Sequence, residues 1–213
     1  MQGEFYHVYN RGNSKQKIFH DTQDYYYFID LLYVANTDQN LNLCNLKRSK
    51  GFNMYKIDRK NNLVDIGAYC IMPNHFHILI KEKTDNKGIT KFIQKLSTAY
   101  AMYYNIKYSR TGSLFEGKFK SEHVDNDVYL KYLFSYIHLN PIKLIDKDWK
   151  KEGIKNKTNA TVFLHTYQYS SYLDFLGKNR VQNKIINIKP FPNYFPNSKY
   201  FIKEIFDWIN NKD

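Results

Sequence analysis

The stretch LVDIGAYCIMPNHFHILIKE, residues 63 to 82, constrains the fold of this chain more than any other. Its two halves carry the apolar, β-branched and aromatic residues of strands. They meet at Pro73-Asn74, where the proline fixes its own φ and favours a tight reversal. The pattern predicts two neighbouring antiparallel strands. Residues i and i+2 of a strand point to one face, so His75 and His77 project together while Phe76 points to the other side. Histidine is a poor choice for a core, so the pair needs hydrogen-bond partners or a ligand. Two adjacent imidazoles offer two ligands to one divalent metal. A bare His-x-His is nevertheless more often a pair of hydrogen-bonded or surface histidines than a metal site.

The flanking sequence supplies partners for such a hairpin. FYHVYNRG (5 to 12) reads as a short strand ended by Asn-Arg-Gly, and DTQDYYYFIDLLYVANT (21 to 37) as a helix opened by an Asp/Thr cap. Residues 36 to 63 are polar without a sustained period. They read as a loop or small insertion, with a weak strand at FNMYKI. After Gly88 comes the longest helical pattern, with Phe92, Leu96, Ala99 and Tyr103 at helical spacing. KFKSEHV (118 to 124) follows as a fourth strand. The next helix starts at DNDVYLKYLFSYIHL, where Asp125 and Asp127 suit the positive end of the helix dipole. Asn140-Pro141 ends or bends it, because the residue before proline is pushed away from helical geometry. The order is that of an α+β domain on an antiparallel sheet. Beyond residue 146 the signal weakens to two short helices, at YQYSSYLDFLG and KYFIKEIFDWINN.

Composition narrows the partners. Of 213 residues 43% are hydrophobic, enough to bury a core, and the formal net charge of +12 points to an anionic partner, nucleic acid ahead of membrane. Tyrosine occurs 20 times and phenylalanine 15 times, and such rings interleaved with lysine can stack bases while the cations hold phosphates. Cys44 and Cys70 make neither a disulfide framework nor a zinc site of the usual spacing. No apolar run reaches the length of a membrane helix and the N-terminus lacks a leader's apolar core, so a cytoplasmic protein is expected.

Other residues can join the histidines. On the expected helix from 126 to 140, Tyr136 and Asn140 stand four apart and share a face. The Asn140 amide oxygen at that place can join a metal, and the Tyr136 hydroxyl can reach a phosphate bound to it. Tyr129 and Tyr132 lie on the same general stripe, and spacing alone does not choose among the three. KYSRTGSLFEGKFKS sets Lys107, Arg110, Lys118 and Lys120 beside Phe115 and Phe119, a composition suited to phosphate contact and base stacking. Arg11, in the turn after the first strand, is a further candidate DNA contact. His7, His20, His123, His138 and His165 are read as packing or surface residues.

YHVYNRG with IFHDTQDYYYFIDLL, then AYCIMPNHFHILI, TGSLFEGKFKS, YIHLNPIKL and YSSYLDFLG, stand in an order that resembles the single-tyrosine transposases of the HUH endonuclease superfamily. The resemblance covers roughly residues 5 to 177 and is nearest to the REP-associated tyrosine transposase branch. It implies a ferredoxin-like antiparallel sheet with the HUH pair on a central strand and the tyrosine on a helix. By position, His75 and His77 would be metal ligands, Tyr136 in YIHLNP the nucleophile, and Asn140 the third polar ligand. It also implies a division into a catalytic domain (1–145) and a C-terminal extension (146–213) that packs on it or contacts DNA. The chain departs from the pattern in the long polar stretch 36 to 63 and in the tail after Gly177.

The activity so implied is cleavage and rejoining of single-stranded DNA through a 5′-phosphotyrosine link, with Mg²⁺ or Mn²⁺ as cofactor and imperfect-palindrome hairpins as partners. Two other readings compete. A noncatalytic hairpin-binding protein would keep the fold and the basic surface without chemistry, and a phosphodiesterase using the histidines as acid and base would need neither metal nor tyrosine. The sequence is compatible with a monomer and with a homodimer.

Overall fold

A computed structural model of the chain describes residues 2–42, 53–84 and 87–210. Strands β1 (Phe5–Arg11), β2 (Val64–Met72), β3 (His75–Glu82) and β4 (Lys120–Val124) form one sheet in the order β2-β3-β1-β4. Every neighbouring pair is antiparallel. With α1 (Thr22–Val34) after β1 and α2 (Gly88–Lys107) after β3, the order βαββαβ is that of a ferredoxin-like domain. Pro73 and Asn74 alone connect β2 to β3, the tight reversal expected of them.

The two faces of the sheet are covered differently. Val8, Ile71, Phe76, Ile78 and Ile80 point to one face and pack with Phe28, Leu31 and Leu32 of α1 and Phe92, Leu96 and Tyr100 of α2. Residues of opposite parity point to the other face, where Cys70, Met72 and Leu79 meet Leu133, Phe134 and Ile137 of α3 (Asp127–Leu139). Both parts of this core depend on an irregularity in β2. The register slips between Ile66 and Ala68, so Gly67 takes up one residue of bulge and reverses which side chains face α3. A Cβ on Gly67 would lie 2.7 Å from the ring of Phe191, which therefore packs directly on the strand backbone.

Sequence and structure differ mainly at element ends and in the tail. Asn126, not Asp125 or Asp127, caps α3, its side chain accepting from the Tyr129 amide. The segment at FNMYKI is no strand over its described residues: Met54–Lys56 is a 3-10 turn, with the Asn53 side chain accepting from the Tyr55 amide. The remainder of that loop, including Cys44, lies outside the described residues. Helix α3 does end at Asn140-Pro141, but Asn140 keeps helical φ and ψ of -54° and -38°, and Pro141 opens a 3-10 turn, Asn140–Leu144, at whose start its missing N–H costs nothing. Two helices follow that no sequence pattern announced, α4 (Trp149–Glu152) and α5 (Lys157–Thr166). The two short helices that were expected are α6 (Tyr172–Phe175) and α7 (Ser198–Asn210).

The tail covers the β2 edge of the sheet. Ile71 N–H donates to Tyr169 C=O at 2.9 Å and Ser171 N–H to Tyr69 C=O at 3.0 Å, which pairs backbone that would otherwise be open. His138 fastens α3 to the same place. Its Nδ1 donates to Phe134 C=O at 2.8 Å, so Nε2 accepts from the Ser171 hydroxyl, also at 2.8 Å. Complete burial pushes the His138 pKa down to about 3.

This buried imidazole makes the fold acid-sensitive. The unfolded chain takes up a proton near pH 6.5 that folded His138 refuses, so stability falls as pH drops from about 6.5 toward 3. We expect His138→Leu to cost about 1 kcal/mol at pH 7.5, through loss of the Ser171 hydrogen bond, since Ser171 Oγ keeps the Tyr69 amide as a donor at 2.9 Å, and to weaken the pH dependence. Urea unfolding at pH 7.5 and 4.5 measures both.

Candidate active site

The antiparallel register of the two central strands builds the floor of the site. Tyr9 stands opposite His77 and Arg11 opposite His75, with His7 one step along. All five share the parity that faces α3. His7 Nε2 and His77 Nδ1 are 2.9 Å apart and the rings stack with centroids at 5.0 Å. The Glu122 carboxylate, on β4, is 3.8 Å from His7 Nδ1 and attracts the proton to that nitrogen. His7 Nε2 is then the acceptor, His77 Nδ1 the donor, and the lone pair of His77 is left on Nε2. His75 reaches the same state by another route, because its Nδ1 donates to the Asn74 side-chain oxygen at 2.6 Å.

Burial holds these rings neutral. It pushes the pKa of His7 and of His75 down to about 4 and holds that of His77 well below the ordinary imidazole value. The Glu122 carboxylate opposes the shift at His7, while neighbouring rings and Lys150 reinforce it at His77. At neutral pH each imidazole offers a lone pair, the form a metal requires.

Helix α3 lays its tyrosines across this floor. The Tyr136 ring stands edge-on to His77 at 5.4 Å and to His7 at 5.9 Å. Tyr132 and Tyr129 continue the stripe away from the histidines, at 5.8 Å and then 6.0 Å from ring to ring. Lys150, from α4, donates to the Tyr136 hydroxyl at 2.9 Å and lies 4.1 Å from the ring centre. Desolvation raises the Tyr136 pKa, while Asn140 and Lys143 act against that rise. The phenol is therefore protonated at neutral pH, with a cationic donor already on its oxygen.

Asn140, one turn after Tyr136, is 1% exposed. Its amide lies near enough to His75 and Tyr136 to influence both electrostatically, yet neither amide atom makes a properly directed hydrogen bond. Stranding both polar atoms costs on the order of 1–3 kcal/mol each, so the position asks for a further partner. Among the described residues no cluster of three or more His, Cys, Asp or Glu is arranged to hold a metal. Two neutral imidazoles and an unsatisfied amide oxygen nevertheless fit a hard divalent ion that also binds a phosphate. They leave the charge of that ion intact.

The cleft above this floor has a volume of about 580 Å³ and is rimmed by cations: Arg11, Lys15, Lys118, Lys120, Lys143 and Lys150. Arg11 is held by Glu116, whose Oε1 accepts from its Nη2 at 3.0 Å. Three residues proposed from composition lie elsewhere. Lys107 binds Asp21 at 2.7 Å and buried Asp24 at 2.6 Å, at the cap of α1. The Arg110 guanidinium sits 5.6 Å over the ring of Tyr104. Phe115 is 7% exposed and packs edge-on against Phe76 in the core, so it offers no face to a base. The basic, aromatic segment thus divides, its first half serving the core and its second half, with Lys118 and Lys120, the cleft.

Two residues of the site escaped sequence reasoning. His7 reads as an ordinary strand residue until β1 is known to pair with β3; its parity with Tyr9 and Arg11 was the available signal. Lys150 stands in a stretch without pattern and had none.

Residues 53–140 match the family described as "Transposase IS200 like". A solved structure described as a REP-associated tyrosine transposase bound to a REP hairpin superposes with a TM-score of 0.51 at 11% sequence identity, covering 85% of this chain and 86% of that one. At that identity the likeness is one of fold. No curated protein matches the chain in sequence. Residues 53–140, which hold the histidine pair, Tyr136 and Asn140, are thus the part of the chain that resembles the IS200-like transposase family.

Proposed function

We propose that this protein cleaves and rejoins single-stranded DNA at hairpin-associated sites, with Tyr136 as the nucleophile. One observation carries the reading: of the three tyrosines on α3, Tyr136 packs its ring on His77, receives the Lys150 hydrogen bond and stands one turn before Asn140. The solved structure of similar fold holds a REP hairpin. A hairpin with a single-stranded flank is accordingly the substrate we assign here.

The Tyr136 oxygen attacks the scissile phosphorus and releases its proton to solvent, while the bond to the 3′ oxygen breaks and that oxygen takes up a proton from solvent, so that no net proton is gained or lost. A 5′-phosphotyrosine and a free 3′-hydroxyl result. A second 3′-hydroxyl reverses the step and restores the phenol, so the bond energy is conserved and ATP is not needed. Lys150 offsets negative charge on the phenol oxygen in both directions. His75, His77 and Asn140 would hold Mg²⁺ or Mn²⁺, which supplies Lewis-acid polarisation of a nonbridging phosphate oxygen. His7 keeps His77 in the tautomer that presents Nε2. Arg11, Lys118 and Lys120 hold flanking phosphates.

Incubation with labelled hairpin DNA and Mn²⁺ should give a denaturation-resistant protein–DNA band. It should vanish in Tyr136→Phe and in EDTA. Survival of the band in Tyr136→Phe would transfer the role to Tyr132 or Tyr129, and tight binding without any band would favour the noncatalytic binder.

Lys150→Gln should slow band formation by about 10²–10³ with DNA affinity nearly unchanged, the scale expected for removing one preorganised donor from a developing anion. Single-turnover rates against Kd separate the two.

Calorimetric titration with Mn²⁺ tests the ligands without catalysis. His7→Phe should weaken binding by about 10–100-fold as the loss of an outer hydrogen-bond partner, and His77→Ala by more. Equal affinity in all three proteins would remove the metal from this site.

A further inference from the structure

The cleft does not end at Tyr136. It opens into a second trough of about 750 Å³, with Lys15, Asn74, His75, Lys143 and Lys150 shared between the two. Lys17, Lys147 and Lys151 extend the cationic wall beyond the shared residues. Six lysines thus line this trough, with Asp148 the only carboxylate among its lining residues. Lys15, Lys17, Lys143, Lys147 and Lys151 are exposed, and none makes an ion pair among the described residues. Met72, Pro73 and the exposed Leu144 give the same trough an apolar component.

We infer that this trough is a second track for single-stranded DNA, holding the flank of the scissile phosphate that lies away from Arg11, Lys118 and Lys120. The inference rests on the DNA-cleaving function proposed above and adds the path of the strand. A strand whose phosphate lies at His75 and His77 must leave the cleft, and this is its continuous basic exit. Uncompensated like charges repel one another and weaken the fold, which a polyanion relieves. An apolar strip between cations suits unpaired bases beside a phosphate backbone better than it suits a duplex, whose bases are stacked inside.

The walls are fixed before any strand arrives. Gly12 N–H donates to Asn74 C=O at 2.8 Å, Ile18 N–H to Pro73 C=O at 2.9 Å and the Asn74 amide to Lys15 C=O at 3.1 Å. The turn after β1 is thereby clamped to the β2–β3 turn. Ser14 and Lys15 both take left-handed φ, of 53° and 59°, a conformation that L residues adopt only when the surroundings impose it. The opposite wall belongs to the segment after α3 and to α4. Apart from Met72, Pro73, Asn74 and His75, all lining residues fall outside the family match of 53–140.

The test is fluorescence anisotropy of labelled oligothymidylate with the full chain across a salt series. The triple variant Lys17→Gln, Lys147→Gln, Lys151→Gln leaves Tyr136, Lys150 and the histidines intact. Each phosphate released from a single strand removes about 0.7 from the slope of log K against log salt, so the slope should fall by about 2 and affinity at low salt by about tenfold or more. A control with Lys178, Lys199 and Lys203 changed to Gln removes the same charge from surfaces lining neither cleft and should leave the slope almost unchanged. Equal slopes in both triples would overturn the track, as would a variant that keeps its DNA slope but loses binding to phosphatidylserine vesicles. Failure of the catalytic reading shows separately, as the absence of covalent DNA on Tyr136.

Discussion

The pairing of β1 with β3 is the constraint on which the rest depends. A shift of one residue would turn His7, Tyr9 and Arg11 toward α1 and α2 and bury them in a dry core, while Val8 and Asn10 would face α3. The register is held from both faces. Val8, Phe76, Ile78 and Ile80 are fully buried against the helices, and the polar set can be accommodated only where α3 leaves a cleft. The same apolar packing that stabilises the sheet therefore aligns the two histidines with Tyr136.

Alternation made the histidine pair legible, and the Pro-Asn turn made the hairpin so. The helices α1, α2 and α3 follow from local periodicity because each buries one stripe, and β2 and β3 from their apolar runs, whereas β4 is exposed except at Val124 and is marked by its position after α2. What could not be read depends on contacts distant in sequence. His7 has meaning only beside His77, seventy positions away, and Lys150 only where α4 returns over α3. Phe115 misled for the converse reason: a phenylalanine among cations has the composition of a stacking site, but its exposure is decided by whether Phe76 and Tyr100 are there to receive it. Lys107 likewise looks like a phosphate ligand until Asp21 and Asp24, which cap a helix far earlier in the chain, are found to hold it.

The short helices of the tail escaped notice because they lack a long amphipathic stripe. Helix α4 has four residues and one buried anchor, Trp149, and α5 buries only Ala160 and Leu164. Their stability comes from the core shared with Tyr172, Leu173 and Phe201 rather than from propensity. That core positions Lys150 by its neighbour: Trp149 is buried and fixes the backbone of α4, so the lysine beside it is carried to the Tyr136 hydroxyl.

Charge is distributed by depth. The floor is uncharged, since burial keeps three imidazoles and one phenol neutral, whereas the rim carries lysine on both sides. Cations alone would hold a phosphate at the rim, where solvent weakens every interaction with it. Neutral lone pairs below, beside an amide with no partner of its own, draw the charge inward, because a bound divalent ion there would be the least compensated positive charge in the cleft. Burying Tyr136 with that floor raises the cost of forming its anion in the free protein. In the proposed reaction that anion would be favoured only when phosphate and metal share the cleft, which would confine the reactivity of Tyr136 to the loaded site.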